Sequence, residues 1–241
     1  LPCRKVASAQ QKAGFLEGVD FLAFDVLEGV CGVSHVQAAI FDAFGTIIRI
    51  ENGRHPFRQL LKLGIAQGRR PKPDDASMLM SHPWSLAQAA DHFGIDVPPA
   101  ELARIQSELD AELASIRPFT DALSCIEALQ ARGIKVAVCS NLARPYGAAV
   151  KRIFPGLESY GFSYELGSLK PDRRIYEAVL TELAVDACKV WMIGDSQRCD
   201  RDGPIALGIK GHYLNRTGAG SPSDFRDLMA FKHSVFESRS P

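Results

Sequence analysis

The sequence predicts an α/β fold: a Rossmann-like, doubly wound parallel sheet with a smaller helical domain inserted near its start. Three observations carry this. Short apolar runs alternate with helical patterns through most of the chain. Each of the stronger runs stops at a polar or glycine-containing turn, as buried parallel strands do. One stretch, from Asn52 to Ile116, breaks the alternation and reads as helices alone. A length of 241 residues suits one core with a small insert, since single cores stop growing at about 250–300 residues.

Residues 1–35 form an N-terminal extension, in which Phe15–Val30 fits either a modest amphipathic helix or an unstructured end. Val36–Phe41 is the first strand, ending at Asp42 and a Gly45-Thr46 turn. Helices are then expected over Pro56–Ala66, Ser85–Phe93 and Pro99–Ser115, punctuated by Pro71, Pro73, Pro83, Pro98 and Pro99. The insert joins the core near Glu51 and Pro118. Beyond it, Asp121–Arg132 is a helix closed by Gly133, and Lys135–Cys139 is a strand. A helix over Arg144–Ile153, a weaker strand over Phe162–Glu165 and a helix over Arg174–Ala184 follow. Lys189–Ile193 and Ile209–Leu214 complete the sheet. Residues 36–51 and 117–241 thus form the core, and 52–116 the helical domain.

Composition narrows the function classes. Lysine plus arginine (28) equals aspartate plus glutamate (28), so there is no global attraction for nucleic acid or an anionic membrane. No apolar run approaches the roughly 18 residues that span a bilayer, and the N-terminal stretch is interrupted by Gln10, Gln11 and Lys12, unlike a secretory signal. Six scattered cysteines, with no CxxC pair, are expected as reduced thiols. These features point to a cytoplasmic protein, monomer or homodimer, that handles a small molecule.

The chemistry gathers where strands end. Asp42 follows the first strand, Ser140-Asn141 the second and Gly194-Asp195 the third, while Lys170-Pro171-Asp172 follows the weak one. Ligands of open α/β sheets bind at that carboxyl edge. Each residue alone is an ordinary turn former; the ordered set is not. Phe41-Asp42-Ala43-Phe44-Gly45-Thr46, Cys139-Ser140-Asn141, Leu169-Lys170-Pro171-Asp172 and Ile193-Gly194-Asp195-Ser196 with Asp200 resemble the four motifs of the haloacid dehalogenase (HAD) superfamily. The helical insert is placed like that family's cap. The resemblance implies that Asp42 is the nucleophile, that Ser140 hydrogen-bonds the transferring group and that Lys170 offsets negative charge. It also implies Mg2+ held by Asp42, Asp195 and the backbone carbonyl of Phe44, with Phe44, Gly45, Thr46 and Asn141 beside the substrate. Elementary chemistry agrees: a carboxylate attacking a phosphoryl dianion needs a lysine and a divalent cation to relieve like-charge repulsion. Asp200 either orients Lys170 or a metal-bound water, or caps the following helix.

One position departs from the phosphatase pattern. HAD phosphatases generally carry a second aspartate, an acid/base, two residues after the nucleophile; here that residue is Phe44. A missing acid/base costs about 10²–10⁴-fold, so leaving groups that need no proton are favoured. An aromatic there resembles the 2-haloacid dehalogenases, yet those work without metal, and Gly194-Asp195 is the phosphatase form of the fourth motif. Three readings follow: a magnesium-dependent phosphatase for a small phosphorylated metabolite, a metal-independent 2-haloacid dehalogenase with Asp200 as water activator, or a catalytically impaired ligand-binding relative. From Asn52 to Pro73, Arg54, Arg58, Lys62, Arg69, Arg70 and Lys72 stand with no acidic residue among them. They form either a solvated basic face or, through Arg54 or Arg58, a binding site for an anionic substrate group.

Overall fold

The computed structural model describes residues 35–218, 221 and 223–238, so the predicted extension over residues 1–35 lies almost wholly outside the described residues. Strand β1 (Ala38–Phe41) leads through a tight turn into β2 (Ile48–Ile50). Four helices follow, α1 (Pro56–Ala66), α2 (Asp75–Ser81), α3 (Leu86–Phe93) and α4 (Pro99–Ala114), and the chain returns through β3 (Ile116–Pro118). Then come α5 (Thr120–Ala131), β4 (Lys135–Ser140), α6 (Arg144–Ile153), β5 (Ser159–Phe162) and the short α7 (Ser163–Leu166). The last stretch holds α8 (Arg173–Leu183), β6 (Val190–Gly194), α9 (Gly203–Ile205), β7 (Lys210–Tyr213) and α10 (Leu228–Glu237).

Five strands form the main sheet in the order β5-β4-β1-β6-β7, every neighbouring pair parallel. The two-residue period of a strand decides which layer each side chain joins. Ala39, Phe41, Val136, Val138, Trp191 and Ile193 point to one face, packed with Cys125, Ile126 and Leu129 of α5 and Phe231 and Val235 of α10. Ala38, Ile40, Ala137, Cys139, Val190 and Met192 point to the other, under Ile175, Tyr176, Val179 and Leu183 of α8. Helices on both faces are what bury a parallel sheet.

The helical insert has its own apolar cluster, with Leu60, Leu79, Leu86, Ala89, Ile95, Ile105 and Leu109 at its centre. Ser85 starts α3 with a capping box, its hydroxyl accepting from Gln88 N–H while the Gln88 side chain accepts from Ser85 N–H. Both linkers cross at one place, because β2 and β3 pair antiparallel with Ile50 opposite Ile116. No helix among the described residues is long and apolar enough to cross a membrane.

The fifth strand differs from expectation. Phe162–Glu165 alternates apolar and polar residues, but the strand is Ser159–Phe162 and Ser163–Leu166 is helical. The true strand looks polar in sequence and fits because Gly161 lies against Val179, where a Cβ would meet Cγ2 at 2.3 Å. Helix α2, in the proline-rich stretch, and α10 lie outside the helices that the sequence pattern predicts. The first is started by Asp75, whose carboxylate accepts from Lys72 N–H at 3.0 Å and from Arg69.

Candidate active site

Strand register builds the site. Phe41 is level with Val138 and Ile193, so the next residues along β1, β4 and β6 emerge together at the carboxyl edge. Asp42 N–H donates to the Ile193 carbonyl at 3.0 Å, which fixes the nucleophile candidate beside the Gly194-Asp195 turn. Ser140 ends β4 and is buried.

Lys170 is the centre of the charge arrangement. Its buried ammonium donates to Asp42 Oδ1 at 2.7 Å and to Asp200 Oδ1 at 2.6 Å. Burial works against that charge, but the two carboxylates outweigh it and hold the Lys170 pKa above its ordinary value. Asp200 shifts upward too, because burial and the neighbouring charge of Asp42 outweigh the attraction of Lys170. Asp200 Oδ2 accepts from Ser196 N–H at 2.9 Å, at the start of a π-helical turn over Gln197–Asp202. The residue therefore holds the Lys170 ammonium and closes its own turn; it does not cap the following helix α9, whose N-cap position is Asp202. Asn141 supports the same lysine from the other side of its backbone. Its side-chain amide donates to the Lys170 carbonyl (2.9 Å) and accepts from Lys170 N–H (2.7 Å). Expected beside the substrate, Asn141 has both amide atoms engaged in holding the lysine's backbone, while it also lines the cleft.

Asp195 faces Asp42 across the edge. Partial burial and the charge of Asp42 raise its pKa above the usual carboxylate range. Gly45 makes room for it: with φ +80°, Gly45 approaches so closely that a Cβ would lie 2.0 Å from Asp195 Oδ2. Oxygens of Asp42, Asp195 and Asp200 all lie within 4.8 Å of one another. Lys170 pairs with Asp42 and Asp200, and Arg216 acts on Asp195 from farther off, which leaves three carboxylates against two cations, an excess of negative charge that a divalent cation with oxygen ligands fits. Since both Asp200 oxygens have donors, Asp42 and Asp195 are the better-placed ligands, and no described hydrogen bond ends on the Phe44 carbonyl.

Above this edge, between core and insert, lies a cavity of about 330 Å³ whose lining includes Phe44, Phe57, Arg58, Leu79, Met80 and Tyr146. Phe44 meets the Tyr146 ring edge-on at 5.7 Å. Of the two arginines named from sequence, Arg58 lines the cavity and has no ion-pair partner among the described residues, whereas Arg54 is paired with Glu108 at 2.8 Å and lies outside the lining. Thr46 also lies outside it: the residue is fully buried, its hydroxyl has no partner among the described residues, and its carbonyl accepts from Arg216 at 2.8 Å. Arg216 is anchored in turn by Asp121, so Thr46 belongs to the support beneath the site. Several lining residues escaped sequence reasoning, Phe57, Leu79 and Met80 among them, and two bear on the site's chemistry. Tyr146 sits in the first turn of α6, just past the Ser140-Asn141 motif. Glu112 falls on the apolar face of α4 with Ile105 and Leu109, at i+7 and i+3 spacing, a buried acid that periodicity alone flags.

Comparison with known proteins agrees with this geometry. The haloacid dehalogenase-like hydrolase family matches residues 36–208. The (S)-2-haloacid dehalogenase of Pseudomonas sp. (strain YL) is 29% identical over 132 residues, 53% of this chain and 54% of the relative. The chain therefore spans about half the length of that curated relative. A HAD phosphatase from Thermococcus onnurineus superposes with a TM-score of 0.60 at 19% identity, over 83% of this chain and 98% of that one. A HAD family enzyme from Bacteroides thetaiotaomicron, in complex with magnesium and inorganic phosphate, gives 0.55 at 17% identity, over 77% and 98%. Those solved structures share the fold. With its motifs converging on one sheet edge and most of its length matched by the family, this chain belongs to the haloacid dehalogenase-like hydrolases.

Proposed function

We propose that the chain is a magnesium-dependent phosphatase acting through Asp42 on a small phosphorylated metabolite whose leaving group needs no proton, such as an aryl or acyl phosphate. The observation that carries this reading is the charge count: oxygens of Asp42, Asp195 and Asp200 lie within 4.8 Å of one another, and among the described residues Lys170 alone is ion-paired with any of them. A metal-free dehalogenase has no use for Asp195 there, a second carboxylate facing Asp42 across the sheet edge. Magnesium, held by Asp42, Asp195 and the Phe44 carbonyl, would offset phosphoryl charge.

In the reaction, an Asp42 oxygen forms a bond to phosphorus as the bond from phosphorus to the leaving oxygen breaks. The leaving group departs as an oxyanion, because Phe44 has no proton to give. Lys170, held by Asp200 and Asn141, stays charged and draws the phosphoryl dianion to Asp42. Ser140 donates to a phosphoryl oxygen. Water then attacks the aspartyl phosphate, releasing phosphate and a proton and restoring Asp42. The apolar cavity, with Phe44, Phe57 and Tyr146, accommodates an aryl or alkyl body, and Arg58 offers a bidentate contact to an anionic substituent. The insert serves as a cap over the site.

A second reading, 2-haloacid dehalogenation, is favoured by Phe44 and by the Pseudomonas relative. Halide leaves unprotonated, so Phe44 costs that reaction nothing. A panel of aryl, acyl and alkyl phosphates with 2-chloro- and 2-bromoacids, assayed with magnesium and with chelator, separates the two. Phosphate release that chelator abolishes supports the phosphatase; chelator-insensitive halide release overturns it.

A further inference from the structure

Glu112 is a carboxylate buried to 1% exposure, on an inserted helix, outside the charge cluster at the sheet edge. Three donors from three residues reach it. Oε2 accepts from Arg54 N–H and, at 2.6 Å, from His55 N–H; both lie in the linker that leads from the core into α1. Oε1 accepts from the Tyr146 hydroxyl of core helix α6 at 2.5 Å. Glu112 itself lies one turn before the return linker, where Ser115 receives Asn52 N–H on its hydroxyl (3.2 Å) and Glu51 N–H on its carbonyl (3.3 Å).

The linker it holds is a costly one. His55 adopts the left-handed conformation, φ 53° and ψ 55°, although it is not glycine and precedes Pro56. A residue before proline favours extended backbone, and a left-handed non-glycine residue persists only where its surroundings over-determine it. The two N–H groups aimed at Glu112 provide that determination. Directly after His55 comes the first turn of α1, which carries Phe57 and Arg58 into the cavity wall. Through Tyr146 the same carboxylate fixes the ring that meets Phe44.

We propose that Glu112 is a positioning residue: by gathering the entry linker and Tyr146 on one buried carboxylate, it sets where Phe57, Arg58 and Tyr146 stand around the cavity they share with Phe44 and Asn141, and so determines which substrate bodies the cavity accepts. This rests on the reading of the cleft under the insert as the substrate site. The role is selective. A substrate too small to reach the cavity depends on the sheet-edge residues, whereas a larger one also depends on the wall that Glu112 holds.

The test compares Glu112→Ala, Glu112→Gln and Tyr146→Phe with the wild type, using 4-nitrophenyl phosphate as the large substrate and acetyl phosphate as the small one, with magnesium. Glu112→Ala is expected to lower the ratio of kcat/KM for the large over the small substrate by about tenfold, as misplaced binding groups do. Glu112→Gln, which keeps an acceptor oxygen, should restore most of the ratio, and Tyr146→Phe should fall between. Hydrogen exchange at residues 54–60 should accelerate in Glu112→Ala while β1 and β4 stay protected. An equal fall for both substrates, or unchanged exchange at 54–60, overturns the proposal. If Glu112→Ala does not fold, Tyr146→Phe carries the same ratio test. If the wild type turns over neither phosphate, the phosphatase reading fails separately; the ratio is then read with 2-bromo-3-phenylpropanoate over chloroacetate. Should those also be inert, exchange at 54–60 alone decides.

Discussion

A Cβ on Gly194 would stand 2.3 Å from the carboxyl carbon of Asp200, so these residues fit together because position 194 carries no side chain. Gly194→Ala should push Asp200 away from Lys170, loosening the lysine that faces Asp42. Turnover is expected to fall about 10²-fold, the scale of an ångström-sized misplacement, with the far-ultraviolet circular dichroism spectrum retained. Wild-type kcat in a folded variant would show that Asp200 does not orient Lys170.

Replacing the nucleophile tests the covalent step. Asp42→Asn should leave less than about 1% of wild-type turnover, a residual that binding and electrostatics alone can support. In the wild type, the second half-reaction lacks a base at Phe44. Rapid mixing with 4-nitrophenyl phosphate should therefore show a burst of one 4-nitrophenolate per site before the slower steady state. A linear trace from zero time would mean that dephosphorylation is not limiting.

Asp195→Asn separates a metal ligand from a passive turn residue. The folded-state pKa of Asp195 is raised, so its contribution to stability is present at low pH, below the unfolded pKa, and lost as pH rises through the folded value. At neutral pH without metal the charged carboxylate is a burden, and asparagine relieves it. The variant should melt higher than wild type in chelator, yet lose the stabilisation that magnesium gives the wild type. Equal magnesium affinity by calorimetry in both proteins would count against Asp195 as a ligand.

Phe44→Asp should supply the missing proton donor. The gain should be greatest on alkyl phosphates, up to about 10²-fold, and small on aryl phosphates, whose phenolate needs little help. Because Phe44 packs against Tyr146, thermal melting must first show that the variant folds. A folded variant with no gain on any phosphate ester, alongside halide release by the wild type, would favour the dehalogenase reading.

His212 predicts an acid limit to stability. It lies on β7 among Trp191 (4.7 Å), Phe225 (5.1 Å) and Phe231 (5.8 Å), with Nε2 lacking a partner among the described residues. Burial, with Lys210 nearby, pushes its pKa down to about 4. Between the ordinary histidine value and that figure the unfolded chain binds the proton and the folded one does not, so stability falls as pH drops through that window. The loss is on the order of 3 kcal/mol. His212→Phe should flatten the difference between urea midpoints at pH 7.5 and pH 5; an unchanged difference would place the effect elsewhere.

Much of this arrangement is legible in sequence because it rests on local signals. Strand ends announce themselves where apolar runs meet Asp42, Ser140 and Gly194-Asp195, and the parallel sheet then aligns them without further information. Glycine and proline mark the boundaries of α1, α3, α4 and α5 well. The hidden remainder depends on partners distant in the chain. Ser159–Phe162 becomes a strand because Val179 fills the space over Gly161. Thr46 looks like a substrate contact until its full burial and the Arg216 bond to its carbonyl are seen, and the hold of Asn141 on the Lys170 backbone is invisible in sequence. Arg54 and Arg58 are alike in sequence, and what distinguishes them is distant in the chain: Glu108 pairs with Arg54, while Arg58 lines the cavity.

Ile50 and Ile116 face each other across a two-stranded pair, so the chain leaves the parallel sheet and rejoins it at a single address. None of the residues that pair in the ladders of the five strands lies between Ile50 and Ile116. The intervening segment can therefore be lengthened at small entropic cost, since closure entropy grows slowly with loop length, whereas trimming it would take Met80 from the Ser163 hydroxyl and Glu112 from Tyr146. On the proposed reading of the cleft, changes confined to the residues between Ile50 and Ile116 would alter what is recognised while Asp42, six residues upstream of Ile48, keeps its place at the sheet edge.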